Sequence, residues 1–203
     1  MKLLVATNNR GKVAELLRLL DLPGLELVTP SEAGLAPDYD VEETGTTFKE
    51  NAVLKAEQYA RAAQLHALAD DSGLEVDALG GQPGVYSKRF AGEDATDQDR
   101  INFLLAKLPD LPDEQLTARF VAAIAFAGPD GRILRIEEGY CEGYITRQQR
   151  GTGGFGYDPI FVVKAAGQTL AELSPAEKNA HSHRGNGIAK IRPFIQQYLQ
   201  NQS

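Results

Sequence analysis

Apolar residues recur along this chain with two periods. Spacings of three and four residues mark helices, because side chains that far apart stack on one helical face, whereas alternation or short unbroken apolar runs mark strands. Leu3-Leu4-Val5-Ala6 is such a run, and after the polar Thr7-Asn8-Asn9-Arg10-Gly11-Lys12 the residues Val13, Leu16, Leu17 and Leu20 follow the helical period. Leu22-Pro23-Gly24 stops that helix. A short strand, Leu25 to Val28, leads into an irregular acidic stretch from Pro30 to Gly45. Thr47, with Glu50 three residues on, predicts a capping box and a helix to about Gln64. On its period Phe48, Ala52, Ala56, Tyr59 and Ala63 form one stripe, and Lys55 falls inside it, a cation where the pattern wants an apolar residue.

Ala67-Leu68-Ala69 predicts a strand that delivers Asp70-Asp71-Ser72-Gly73-Leu74 at its end, and Gly80-Gly81-Gln82-Pro83-Gly84 predicts a tight turn. Asp97 to Leu108 reads as a helix. Ala118 to Ala127 and Ile133 to Ile145 read as an antiparallel hairpin about Gly128-Pro129-Asp130-Gly131, and Ile160 to Val163 as a further strand. Ser174-Pro175-Ala176-Glu177 supplies an N-cap, a proline at the first helical position and a glutamate at the third. A last helix from about Asn186 carries Ile188, Ile191, Ile195 and Leu199 and ends in a polar tail. Strand and helix alternate early and a hairpin comes late, so the expected class is α/β with a mixed sheet. No repeat or linker divides residues 1–203, which form one domain or two lobes sharing a core.

Composition narrows the chemistry. Of 203 residues 42% are hydrophobic and 24% charged, with a net charge of -7, which excludes intrinsic disorder. No window approaches the ~18 apolar residues of a membrane span, and the N-terminus enters a short strand at once, so a cytoplasmic protein without a membrane partner is expected. The single Cys141 allows neither an internal disulfide nor a C-x-x-C metal or redox pair. The acidic balance argues against coating nucleic acid, which needs surplus cations along many phosphates. One small phosphorylated ligand needs only a few.

Several segments have the means to bind such a ligand. Thr7 to Lys12 lies between a strand and a helix, where free N–H groups and the helix dipole attract anions. It is not a Walker loop, which would need an earlier glycine and a hydroxyl where Val13 stands. Asp70 and Asp71, with Glu42 and Glu43 in the acidic loop, are hard oxygen donors of the kind that suit Mg2+. Lys55 either snorkels to water or neutralises phosphate charge. In Gly151 to Pro159 the glycines permit close approach, while Phe155 and Tyr157 either offer faces to a base or lodge in the core. Lys178 with His181-Ser182-His183-Arg184 is a donor set or an ordinary basic helix end; His-x-His lacks a third zinc ligand. Taken together these describe a nucleoside triphosphate site.

In their order along the chain, Thr7-Asn8-Asn9-Arg10-Gly11-Lys12, Glu42-Glu43-Thr44-Gly45 through Asn51-Ala52, Ala69-Asp70-Asp71-Ser72-Gly73-Leu74, Gly153-Gly154-Phe155-Gly156-Tyr157-Asp158-Pro159, and Glu177-Lys178 with Ser182-His183-Arg184 resemble the motifs of the Ham1 family of inosine/xanthosine triphosphate pyrophosphatases. The resemblance implies two lobes around a long mixed sheet with flanking helices, a deep active-site cleft and a homodimer. It implies Mg2+-dependent hydrolysis of ITP, dITP and XTP to the monophosphate and pyrophosphate. It makes Asp71 the catalytic carboxylate and a metal ligand, with Asp70 and Glu42, or Glu43 in its place, completing the metal environment. Thr7, Asn8, Asn9, Arg10, Gly11, Lys12 and Lys55 would take the triphosphate. Ser72 would contact substrate, and Phe155, Gly156, Tyr157, Asp158, Lys178, His183 and Arg184 would select the base. The family usually has glycine where Asn8 stands, and asparagine accommodates the left-handed backbone glycine would supply. A Mg2+-dependent phosphotransferase and a nucleotide sensor are the competing readings.

Overall fold

The computed structural model describes residues 1–201, so Gln202 and Ser203 of the polar tail lie outside the described residues. The N-terminal apolar run forms β1 (Lys2–Val5), with Leu3, Leu4 and Val5 fully buried. Helix α1 (Arg10–Leu19) begins at once, because the Asn9 side chain accepts the Lys12 N–H at 3.1 Å and caps it. Leu16 and Leu20 are buried but Leu17 is 43% exposed, so the packed face is narrower than the period suggested. After β2 (Glu26–Val28), Thr47 and Glu50 form the expected capping box of α2 (Phe48–Ala63), which ends on Gln64 in the left-handed conformation. On α2, Phe48, Ala52, Ala56 and Tyr59 are buried, and Lys55, only 6% exposed, lies with them.

Strand β3 (His66–Val76) departs from expectation. It does not end at Asp70 but runs through it for 11 residues, placing Asp70 and Asp71 mid-strand at 1% and 6% exposure. Two adjacent carboxylates expected at a strand end are thus buried charges that need partners. The chain continues through α3 (Asp97–Lys107), β4 (Thr117–Ala127), β5 (Ile133–Ile145), β6 (Phe161–Val163), α4 (Pro175–His181) and α5 (His183–Gln200). The sheet order is β2-β1-β3-β4-β5-β6, with β1 parallel to β2 and β3, and β5 antiparallel to β6, a mixed sheet as expected.

Helix α5 starts three residues before its expected first residue. The Ser182 hydroxyl accepts the Gly185 N–H at 3.0 Å and caps it, which brings Gly185 into the helix. Gly185 is needed there for a close approach: a Cβ would lie 1.8 Å from the Asn179 carbonyl oxygen. The left-handed backbone expected at Asn8 is absent. Among the described non-glycine residues only Gln64 has positive φ, and Asn8 instead uses its side chain, donating to the Tyr39 carbonyl at 2.8 Å.

The chain separates into two compact units, one of Met1–Asp71, Ala122–Gly139 and the segment from Gly187, the other of Ser72–Val121 and Tyr140–Asn186. In the first, Leu3, Val5, Leu68, Phe126, Ile188 and Ile195 share an apolar cluster. In the second, Leu74, Leu104, Phe120, Ile145, Tyr157 and Phe161 do so. Cys141 is part of the second cluster, and burial pushes its thiol up to about 12, leaving it unreactive. Among the described residues no helix is long and apolar enough to cross a membrane.

Candidate active site

In the first unit the chemistry gathers where α2 faces β3. Asn51 and Lys55 are one helical turn apart and reach the same carboxylate: Asn51 donates to Asp71 Oδ2 at 3.3 Å and Lys55 Nζ to Asp71 Oδ1 at 2.9 Å. The asparagine's own carbonyl accepts the Gly45 N–H at 2.8 Å, which fixes which end of its amide points to Asp71. Gly45 permits this contact, since a Cβ there would stand 2.6 Å from Asn51 Oδ1. Lys55 also binds Glu43 at 2.7 Å and the Asp70 carbonyl at 2.9 Å. The other aspartate belongs to Lys12, whose ammonium sits 2.7 Å from Asp70 Oδ2.

Burial works against the Lys55 cation, yet Asp71 and Glu43 outweigh it and hold the ammonium's pKa above its ordinary value. Lys55 therefore stays charged. Asp71 moves up from the usual carboxylate range because burial disfavours its charge, with Lys55 and Lys12 opposing that rise. A water-poor carboxylate with raised proton affinity, clamped at both oxygens, has the properties of a general base.

Thr7 and Gly11 are half-buried, whereas Asn8, Asn9 and Arg10 are exposed. Thr7, Asn8 and Arg10 line a recess of about 460 Å³ at the start of α1, together with Val13, Thr29 and Ser31. Glu42 is exposed, and its neighbour Glu43 is the acidic-loop carboxylate that joins the cluster, so the observed geometry favours the alternative residue of that pair.

The second unit holds a different construction. Gly154 and Gly156 take positive φ, on either side of Phe155. The Phe155 N–H donates to Asp158 Oδ2 at 2.9 Å, and the same oxygen receives Lys178 Nζ at 2.7 Å. That ammonium stands 5.0 Å from the centre of the half-buried Phe155 ring. Tyr157 does not offer its face to a base: the ring is buried in the apolar cluster and its hydroxyl donates to the Ser87 carbonyl at 3.0 Å. Of the two aromatics, Phe155 presents its ring. Arg184, 2% exposed, donates to Ser72 Oγ at 2.9 Å, and His183 stacks on Phe120 with centroids 4.8 Å apart.

The sequence model of the Ham1 family matches residues 3–194. The chain belongs to the Ham1 family. It is 50% identical over 199 residues to a dITP/XTP pyrophosphatase of Synechococcus sp., covering 98% of this chain and 92% of that protein. A protein of the same name from Geobacillus kaustophilus is 50% identical over 190 residues, 94% of this chain and 92% of the other. The solved structure of a HAM1 protein from Coxiella burnetii aligns with a TM-score of 0.86 at 41% identity, covering 97% of this chain and 99% of that one. In this Ham1-family chain the structure brings Lys12, Lys55, Asp70 and Asp71 together as one charged cluster, and Phe155, Asp158 and Lys178 as another. Sequence reasoning gave Asn51 no role and passed over Asp97, whose Oδ2 accepts the Gly156 N–H at 2.8 Å. A polar residue inside the apolar stripe of α2 was the available signal for Asn51. An aspartate at a helix start is too common to mark Asp97.

Proposed function

We propose that this chain hydrolyses the α–β phosphoanhydride of ITP, dITP and XTP, giving the monophosphate and pyrophosphate. The observation that carries the reading is Asp71, a buried carboxylate held at both oxygens by Asn51 and Lys55. The names of the Ham1-family relatives support the substrate class.

The donor set suits a divalent ion brought with the triphosphate. Among the described residues no three His, Cys, Asp or Glu side chains converge as a full metal cage. Mg2+ needs none, since one or two carboxylates with water and phosphate oxygens satisfy it. Asp71 and an acidic-loop carboxylate, Glu43 or Glu42, would hold it, with Asp70 beside them. When bound it neutralises charge on the phosphate oxygens. Lys12, Lys55 and the amides at the start of α1 hold the triphosphate and stabilise the charge that grows as pyrophosphate leaves. Asp71 takes a proton from the attacking water as its oxygen bonds to the α-phosphorus and the bridging P–O bond breaks.

Base choice belongs to the second unit. Phe155 supplies the stacking face, and Lys178, Arg184 and His183 supply donors. Hypoxanthine and xanthine carry a keto oxygen at C6 where adenine carries an amino group, so a buried donor finds a partner with ITP and loses one with ATP. A homodimer, and a cytoplasmic role in clearing deaminated purines from the nucleotide pool, follow from the same family reading.

The test is release of products from ITP, XTP, GTP and ATP with Mg2+, beside Asp71→Asn. Pyrophosphate with the monophosphate from ITP and XTP, little from ATP and GTP, and a loss of about 10²–10⁴-fold in the variant are expected. Orthophosphate as the product would instead fit a different phosphoryl chemistry. Binding without hydrolysis, unaltered in the variant, would fit a sensor.

A further inference from the structure

The amide of Phe155 and the amide after it are each held by a carboxylate, but by carboxylates from different places. Asp158, inside the loop, takes the Phe155 N–H. Asp97, at the first position of α3, reaches across and takes the Gly156 N–H at 2.8 Å. Its other oxygen is engaged by the Arg100 guanidinium, which also donates to the carbonyls of Lys88 and Ala95 and so fastens the start of α3 to the preceding chain. Thr96 and Asp99 close a capping box around the same turn, so the backbone that carries Asp97 is fixed. Gly156, with φ of +62, has nothing within 4 Å of where a Cβ would lie, so that side of the residue faces open space. The Gly156 N–H is fixed instead by donating to Asp97 Oδ2.

We infer that Asp97 is a positioning residue for base recognition: by anchoring the Gly156 amide from outside the loop, it sets the tilt of the Phe155 ring on which the purine stacks. This rests on reading the loop as the base-binding part of a nucleotide site. Asp97 touches no reacting atom and its side chain is 46% exposed, and the Arg100 guanidinium left behind, 16% exposed, keeps its bonds to the Lys88 and Ala95 carbonyls. The loop keeps its bonds at Gly153, Phe155 and Tyr157, but without the Gly156 anchor the peptide that follows Phe155 can turn, and stacking is the contribution that suffers. The phosphate-binding cluster around Asp71 belongs to a different part of the chain and keeps its own bonds.

The discriminating experiment is steady-state kinetics of Asp97→Ala, Asp97→Asn, Phe155→Ala and the Asp97→Ala/Phe155→Ala pair with ITP and ATP, alongside inhibition by inorganic pyrophosphate, which carries no base. Since an aromatic stack on a base is worth about 1–3 kcal/mol, Asp97→Ala should raise KM for ITP about fivefold to tenfold with kcat within about twofold. The ITP-over-ATP preference should change little, since a stacking face accepts any purine, and pyrophosphate inhibition should stay as in the parent. The pair should be no worse than Phe155→Ala alone, because the anchor acts through that ring. Asp97→Asn keeps a carbonyl acceptor for the Gly156 amide and should recover most of the loss, which also keeps the test usable if the alanine variant folds poorly. An unchanged KM in Asp97→Ala, additive losses in the pair, or ITP and pyrophosphate affinity falling together would each overturn the assignment. A parent inactive on ITP would instead overturn the pyrophosphatase reading itself.

Discussion

The cluster around Asp71 and the loop around Phe155 keep their shapes by opposite means. Around Asp71 the groups are side chains projected from α1, α2 and β3, with Glu43 from the acidic loop, and they hold one another through ion pairs: Lys55 to Asp71 and Glu43, Lys12 to Asp70. Around Phe155 the groups being held are backbone amides, and the side chains of Asp97 and Asp158 do the holding. The first arrangement suits a ligand recognised by charge, where donors must resist displacement as the charge moves. The second suits a flat, neutral base, where the orientation of a ring matters more than the field. Changes in the first region should therefore act on turnover, and changes in the second on affinity and selectivity.

The largest effect that would break this contrast is expected at Lys55. Replacing it by alanine leaves Asp71 and Glu43 without their shared cation, and removing one partner of a buried pair typically costs about 3–5 kcal/mol. Lys55→Met also removes the cation but keeps the packing of the stem, so it separates the loss of charge from the loss of packing. For Lys55→Met we expect kcat for ITP to drop by about 10²-fold, with a much smaller change in KM. Turnover equal to the parent in a folded variant would remove Lys55 from the phosphate chemistry and the contrast with it.

A smaller and different effect is expected at Gly154. With φ at +74, a Cβ there would stand 1.9 Å from Asp158 Oδ2, the atom that holds both the Phe155 amide and Lys178. Gly154→Ala therefore forces Asp158 to give way as well as straining the backbone, by about 1–3 kcal/mol. In a domain of this size that lowers Tm by roughly 3–8 °C. KM for ITP should rise while kcat holds. A fall in kcat at unchanged KM would show that the loop serves the reacting phosphate and not the base.

These differences also explain what the sequence made visible. Lys55 was legible because a cation in an apolar stripe violates the helical period, and Thr47 with Glu50 because a capping box is a local device. Asp70 and Asp71 were legible as a pair but not as mid-strand residues, since adjacent aspartates oppose strand propensity and partners distant in sequence, Lys12, Lys55 and Asn51, make their burial tolerable. Tyr157 against Phe155 was not decidable: in a glycine loop there is no period to say which ring turns inward. The choice between Glu42 and Glu43 is likewise made by tertiary contact with Lys55. Gly185 is a weak helix former, and the nearness of the Asn179 carbonyl, a tertiary contact, is what requires it.

The smallest effect sharpens the comparison through pH. Asp97 is partly buried, which by itself would raise its pKa, but the Arg100 side chain and the Gly156 N–H prevail and hold it below the ordinary 3.8. A carboxyl depressed in the folded state adds stability that is present above its unfolded value and disappears as pH falls through the folded one. With a half-exposed group the contribution is screened to well under about 1 kcal/mol. The urea midpoint of the parent should therefore exceed that of Asp97→Asn by a small constant margin from neutrality down to about pH 4, and the margin should close below that. Subtracting one protein from the other cancels the remaining carboxylates. A margin that stayed constant to pH 2 would mean that Asp97 holds the loop by geometry alone, and the charge that distinguishes it from asparagine would have no part in positioning Phe155.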